Sequence, residues 1–121
     1  MKVINLNNAD HYVWGTGCDG WRLLNGPDLS VIQERIPPGL GEIGHYHTKA
    51  RQLFYVLQGR IEIENGNEIA QLDKGDSLEI IPTIPHRVRN VYDEDAHFLV
   101  ISAPSTAGDR VNLDSPLAGR D

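Results

Sequence analysis

His45 and His47 stand two residues apart in Ile43-Gly44-His45-Tyr46-His47, a segment that reads as extended chain. On a strand, side chains two apart leave the same face, about 6 to 7 Å apart at Cα. Their ring nitrogens can then converge on one ion. Gln52 opens the next strand and can face the same way, and His86, far along the chain, shares a face with Val88. If the strands close into a barrel, the inward faces of distant strands meet at the centre. Three imidazoles and one amide oxygen form a mixed nitrogen and oxygen set that suits one divalent transition metal ion: iron, zinc, nickel, manganese or copper. Buried histidines also serve as hydrogen-bonded core residues, and spacing alone leaves both readings open. His11, in a polar N-terminal stretch, and His97, on the other face from Phe98 and Val100, read as ordinary.

The elements that must position these side chains are short strands. Period-two patterns recur between turn residues, helical periodicity is weak throughout, and the chain reads as all-β. Strands are expected through Tyr12-Val13-Trp14, Trp21 to Leu24 and Leu29 to Ile36, the last stopped by Pro37-Pro38-Gly39. Further strands are expected from Gln52 to Gln58, Arg60 to Glu64, Asn67 to Leu72, Leu78 to Ile81, His86 to Val91 and Ala96 to Ala103. The alternation places Ile61 and Ile63 inward. Both faces of Gln52–Gln58 are largely apolar, so cover on both sides is expected. Asn65-Gly66 reads as a hairpin turn with both residues at positive φ. From Pro104 the polar tail reads as an ordered wrap or a loose end.

The 121 residues suit one domain, with a core barrel over about 28–103 and the N-terminal strands and C-terminal tail packed on it. Eleven Lys and Arg against 17 Asp and Glu give a net charge of −6, which argues against a nucleic-acid partner. The single cysteine, Cys18, cannot form an internal disulfide. In Gly17-Cys18-Asp19-Gly20 it reads as a free thiol in a turn. No apolar run follows Met1-Lys2, and no stretch approaches the roughly 20 apolar residues of a membrane span. A cytoplasmic location is therefore expected.

The spacing also resembles a known family. Gly39, five residues, His45-Tyr46-His47, four residues, Gln52, six residues and Gly59 are similar to the first motif of the cupin superfamily. Gly75 and His86-Arg87-Val88-Arg89-Asn90 are similar to the opening and close of the second. The resemblance implies an antiparallel double-stranded β-helix, or jelly-roll barrel, with a metal held by His45, His47, His86 and the residue at position 52. Three positions depart from the pattern. Gln52 replaces the usual carboxylate ligand, and Ile81 and Thr83 replace a Pro and a Gly. A neutral amide leaves the ion its full double charge, which should favour an anionic ligand and weaken metal affinity.

Activities implied by the resemblance are of the dioxygenase, isomerase or cyclase, and lyase types, on a small organic molecule. The alternative is a non-catalytic module that binds or senses a small ligand. Inward neighbours Ile43, Phe54, Val56 and Val88 are expected to line the pocket. Glu34 shares a face with Ile36. If that face is inward, Glu34 is the acid or base beside the ion; if outward, it is a solvated carboxylate. The aromatic load of Tyr12, Trp14 and Trp21 near the N-terminus points to a homodimer, as the resemblance does.

Overall fold

The computed structural model describes residues 1–113. Among them the chain forms eleven strands and no helix. The strands are β1 (Asp10–Trp14), β2 (Cys18–Asn25), β3 (Ser30–Ile36), β4 (His45–Tyr46), β5 (Arg51–Gln58), β6 (Arg60–Asn65), β7 (Glu68–Asp73), β8 (Ser77–Ile80), β9 (Arg87–Arg89), β10 (Ala96–Ala103) and β11 (Val111–Asn112). A six-stranded sheet runs in the order β1-β2-β3-β10-β5-β8, a three-stranded sheet in the order β7-β6-β9, and β11 pairs with β4. Every pairing is antiparallel. This is the double-stranded β-helix that the resemblance implied.

Register turns the inner face of the large sheet into layers. Ser30, Ser102, Gln52 and Ile80 lie side by side across β3, β10, β5 and β8. Ile32, Val100, Phe54 and Leu78 form the next layer, then Glu34, Phe98 and Val56. Side chains alternate along a strand, so every second residue of each strand enters this stack. Ile61, Ile63, Leu72 and Val88 of the small sheet close the core from the other side, and Phe98, Val56 and Ile61 are wholly buried.

Several local expectations shift. Cys18 opens β2 rather than lying in a turn, and it is buried. Burial pushes its thiol up to about 11, far from a reactive thiolate. The hairpin turn is Gly66-Asn67, since Asn65 pairs with Glu68. Gly66 alone has positive φ there, at 78°, the pattern of a turn with glycine in the first central place. The outer face of β5 is open, with Tyr55 38% exposed, so cover on both sides is absent within one chain.

Thr83 occupies the position where the cupin motif carries Gly. It adopts φ 75°, the one non-glycine residue at positive φ among those described. A β-branched residue there is strained by roughly 1–3 kcal/mol. The strain is held by the Thr83 N–H, which donates to the His47 carbonyl at 2.7 Å. Thr83→Gly removes the strain but adds about 0.5–1 kcal/mol of unfolded-chain entropy. Its net effect should be a gain of up to about 1 kcal/mol in unfolding free energy by urea titration. A clear loss would show that Thr83 carries no strain.

Candidate metal centre and its cavity

Two of the three clustered histidines face each other through the backbone. The N–H of His45 donates to the His86 carbonyl at 3.0 Å, and the N–H of His86 donates to the His45 carbonyl at 2.8 Å. This isolated antiparallel bridge places both imidazoles at the same level. His47 follows one pleat later, and Gln52 enters from β5. Candidate ligand atoms of His45, His47 and His86 all lie within 4.8 Å of one another, and all three residues are buried.

Each ring is oriented by its other nitrogen. The Nδ1–H of His45 donates to the Ile43 carbonyl at 2.9 Å, that of His86 to the Ile84 carbonyl at 2.9 Å, and that of His47 to the Asp109 carbonyl at 2.6 Å. A carbonyl can only accept, so each ring carries its proton on Nδ1 and keeps an Nε2 lone pair. Burial pushes the imidazoles of His45 and His86 down to about 3 and about 4, and lowers His47 as well. Mutual proximity and Arg110 add to the effect. All three are neutral at pH 7, the form that ligates metal.

The residues fit a metal ion on a further observation. The Gln52 side-chain amide donates to Ser102 Oγ at 3.2 Å, which turns its Oε1 toward His86 Nε2 at 3.1 Å. Neither atom has a proton for the other. Two lone-pair donors facing each other in a buried site repel unless a cation lies between them. The fixed second nitrogens are also the arrangement that tunes metal-binding imidazoles.

The cluster lies at one end of a cavity of about 400 Å³. Phe54, Val100 and Ile32 give it an apolar wall. Glu34 faces the cavity from β3, two layers, about 13 Å, from the level of Gln52. Gly20 pairs with both Tyr12 and Glu34 in register. A side chain at Gly20 would meet the Tyr12 ring at 2.2 Å, so the missing Cβ is what lets the phenol cross β2 and bond Glu34.

Glu42 was not among the expected site residues, yet it lines the cavity. Its Oε2 accepts the Val88 N–H at 3.0 Å and stands 3.9 Å from His45 Nδ1. Alternation along 42–47 had put Ile43 inward with the histidines. Only His45–Tyr46 is a strand there, so the alternation does not extend back to 42–44. Ile43 lies at the cavity rim, 62% exposed. Val56 and Val88 also depart from expectation: both are sealed in the core, 0% and 1% exposed, and Phe54 takes the lining position.

Burial, with Glu42 close by, pushes Glu34 up to about 8; burial, opposed by Arg110 and the Val88 amide, leaves Glu42 at about 7. Burial, with Glu34 alongside, pushes the Tyr12 phenol up to about 12. Asp109 is held well below the usual carboxylate range by four donors from Thr48, Lys49 and Ala50. Glu42, Asp109 and Arg110 lacked any spacing signal, because loops and a chain return bring them in, while Tyr12 reaches the cavity from β1 across Gly20.

The barrel is a jelly roll with three imidazoles converging at one end of a cavity. Residues 32–102 match the cupin domain family, and the chain belongs to it. It is 28% identical over 82 residues to an uncharacterized protein of Methanocaldococcus jannaschii, covering 68% of this chain and 66% of that one. It is 32% identical over 87 residues to the polyketide synthase CurC of Streptomyces cyaneus, covering 69% of this chain and 56% of that one. The chain thus spans less than two thirds of both relatives. Its fold is similar to that of the polyketide cyclase RemF from Streptomyces resistomycificus, with a TM-score of 0.81, 14% identity and coverage of 96% and 87%.

Glu34 and Glu42 bind protons more tightly folded than unfolded, so the stability they contribute is present near pH 4.5 and is lost as pH rises through about 7 and 8. The histidines work oppositely, their stability being lost as pH falls from about 6.5 toward 3. In metal-free protein, the urea midpoint should therefore fall between pH 6.5 and 8.5, and Glu34→Gln should flatten that fall. An equal slope in the variant would show that Glu34 titrates normally.

Proposed function

We propose that this cupin is a metal-dependent enzyme that moves protons on a small organic carbonyl compound, with His45, His47, His86 and Gln52 as metal ligands. The observation that carries the reading is the pair of carboxyl groups in the cavity, Glu42 beside His45 and Glu34 beyond it, both ionising near neutrality. A bound divalent ion supplies Lewis-acid polarisation of a carbonyl oxygen. Glu42, the closer carboxyl, takes a proton from the carbon next to that carbonyl. Glu34 retains a proton at pH 7 and can donate it farther along the substrate. Two acids with separated roles in one apolar cavity are the usual arrangement for such chemistry.

Of the types the resemblance implied, this favours isomerase, cyclase and lyase chemistry over oxygen chemistry, which needs no paired acid and base. CurC and RemF, a polyketide synthase and a polyketide cyclase by name, concern polyketides, which are carbonyl-rich chains, and agree with this reading. Arg110 at the cavity wall favours a substrate with an anionic group.

The test begins with metal content. Wild type should carry close to one metal per chain, and the His45→Ala/His47→Ala double variant none. Metal-loaded protein in D2O should then exchange the α-hydrogens of a β-diketone panel, followed by proton NMR. Glu42→Gln should slow exchange at least 10²-fold, within the usual range for an acid–base residue. Binding without exchange would leave a non-catalytic ligand-binding module, and absence of metal would sink the site itself.

A homodimer is part of the same proposal, on a different surface from the one the sequence suggested. Trp14 packs toward the core and Tyr12 into the cavity. One apolar surface left open is the outer face of β5, with Leu53 and Tyr55 beside Ile101. Light scattering should give twice the chain mass, and Leu53→Glu/Tyr55→Glu should halve it; a monomeric wild type would refute the dimer.

A further inference from the structure

The chain after β10 does more than end the fold. It turns back to the cavity, where β11 pairs with β4 and the Leu113 N–H donates to the Gly44 carbonyl at 2.9 Å. One residue fastens it. Thr48, Lys49 and Ala50, the three residues after His47, point successive amides at the Asp109 carboxylate. Thr48 reaches Oδ1 at 2.8 Å, while Lys49 and Ala50 reach Oδ2 at 2.9 and 3.0 Å. The Thr48 hydroxyl also donates to Oδ1. Three consecutive amides aimed at one carboxylate form an anion-binding concavity. The peptide oxygen of the same Asp109 accepts the His47 Nδ1–H. The next residue, Arg110, lines the cavity, with Nη1 3.9 Å from Glu42 Oε1.

His45 and His86 are oriented by carbonyls two residues away in their own segments, at Ile43 and Ile84. His47 alone of the three takes its partner from a segment 62 residues away. The carbonyl that sets its tautomer and ring angle belongs to the docked tail.

We propose that Asp109 is a positioning residue that couples docking of the tail to metal capture: its side chain locks the tail to the His47 loop, which fixes His47 as a ligand and seats Arg110 beside Glu42. The proposal rests on the metal-site reading above. Removing a group that orients a ligand typically costs 10–100-fold in metal affinity. Coupling is reciprocal, so an ion that binds better to the docked state must favour docking by the same factor.

The test uses the full chain and zinc ions alone. Asp109→Ala should bind zinc at least 10-fold more weakly by calorimetry. In wild type, zinc should slow deuterium uptake by the peptide spanning 105–113, and in Asp109→Ala it should not. In metal-free wild type, the His47 Nδ1 proton should appear as a protected downfield NMR signal that Asp109→Ala loses. A merely structural strap would lower stability without moving the zinc dependence or that signal. If Asp109→Ala fails to fold, Thr48→Val, which deletes one of the four donors, should show the same changes at smaller size. Affinity within twofold of wild type in the folded variant, or zinc-independent uptake in wild type, overturns the proposal. If wild type binds no zinc, the metal reading fails on its own. The His47 signal then decides the positioning role: its loss in the variant supports the role, and its persistence refutes it.

Discussion

Three hydrogen bonds from imidazole Nδ1 to backbone carbonyls govern the rest of this structure. They settle which nitrogen of each ring is free, and so convert three buried histidines into three inward lone pairs. Burial keeps the rings neutral, and Gln52, steered by Ser102, adds a fourth lone pair that faces one of them. A barrel interior normally excludes such a concentration of unshared acceptors, because each needs a partner when removed from water. A cation placed among these lone pairs would satisfy them together. The wall of Phe54, Val100 and Ile32 then supplies the low-dielectric surroundings in which such a centre acts strongly on a bound molecule.

The carboxyl groups repeat that logic with the opposite charge. Glu34 and Glu42 are placed where ionising both is unfavourable, so the cavity holds a proton at neutral pH. Gly20 is the enabling residue. By lacking a side chain it opens the line from Tyr12 to Glu34 across three adjacent strands. Sheet register thus fixes one end of the cavity, and the short strand at His45 together with the returning tail fixes the other.

The strands that carry period-two alternation were readable from the sequence, and Gln52 turns inward as the β5 ladder requires; His45 and His86 meet at an isolated bridge and His47 lies just beyond β4, so their convergence was legible from the motif spacing and not from a ladder. Legibility by alternation stops where the ladder stops. Residues 42–44 lie outside any strand, and there Glu42 turned in while Ile43 stayed at the rim. Val56 and Val88 face inward as alternation requires but are sealed in the core, Val56 even though it shares a layer with the cavity-lining Glu34, a distinction that periodicity does not encode. Asp109 and Arg110 come from contacts about 60 residues away in sequence, set by how the chain returns over the barrel.

The backbone bridge between His45 and His86 also bears on how the protein is made. These residues are 41 positions apart, and their pairing joins segments from before and after the β6-β7 hairpin. Closing such a loop has an entropic cost that must be met before the contact rewards it, so pairings of this kind form late. The ligand set therefore does not exist in a nascent or half-closed barrel. An ion would meet all three imidazoles only in the closed barrel; before closure it would find His45 and His47, which the local chain already holds two residues apart, without His86.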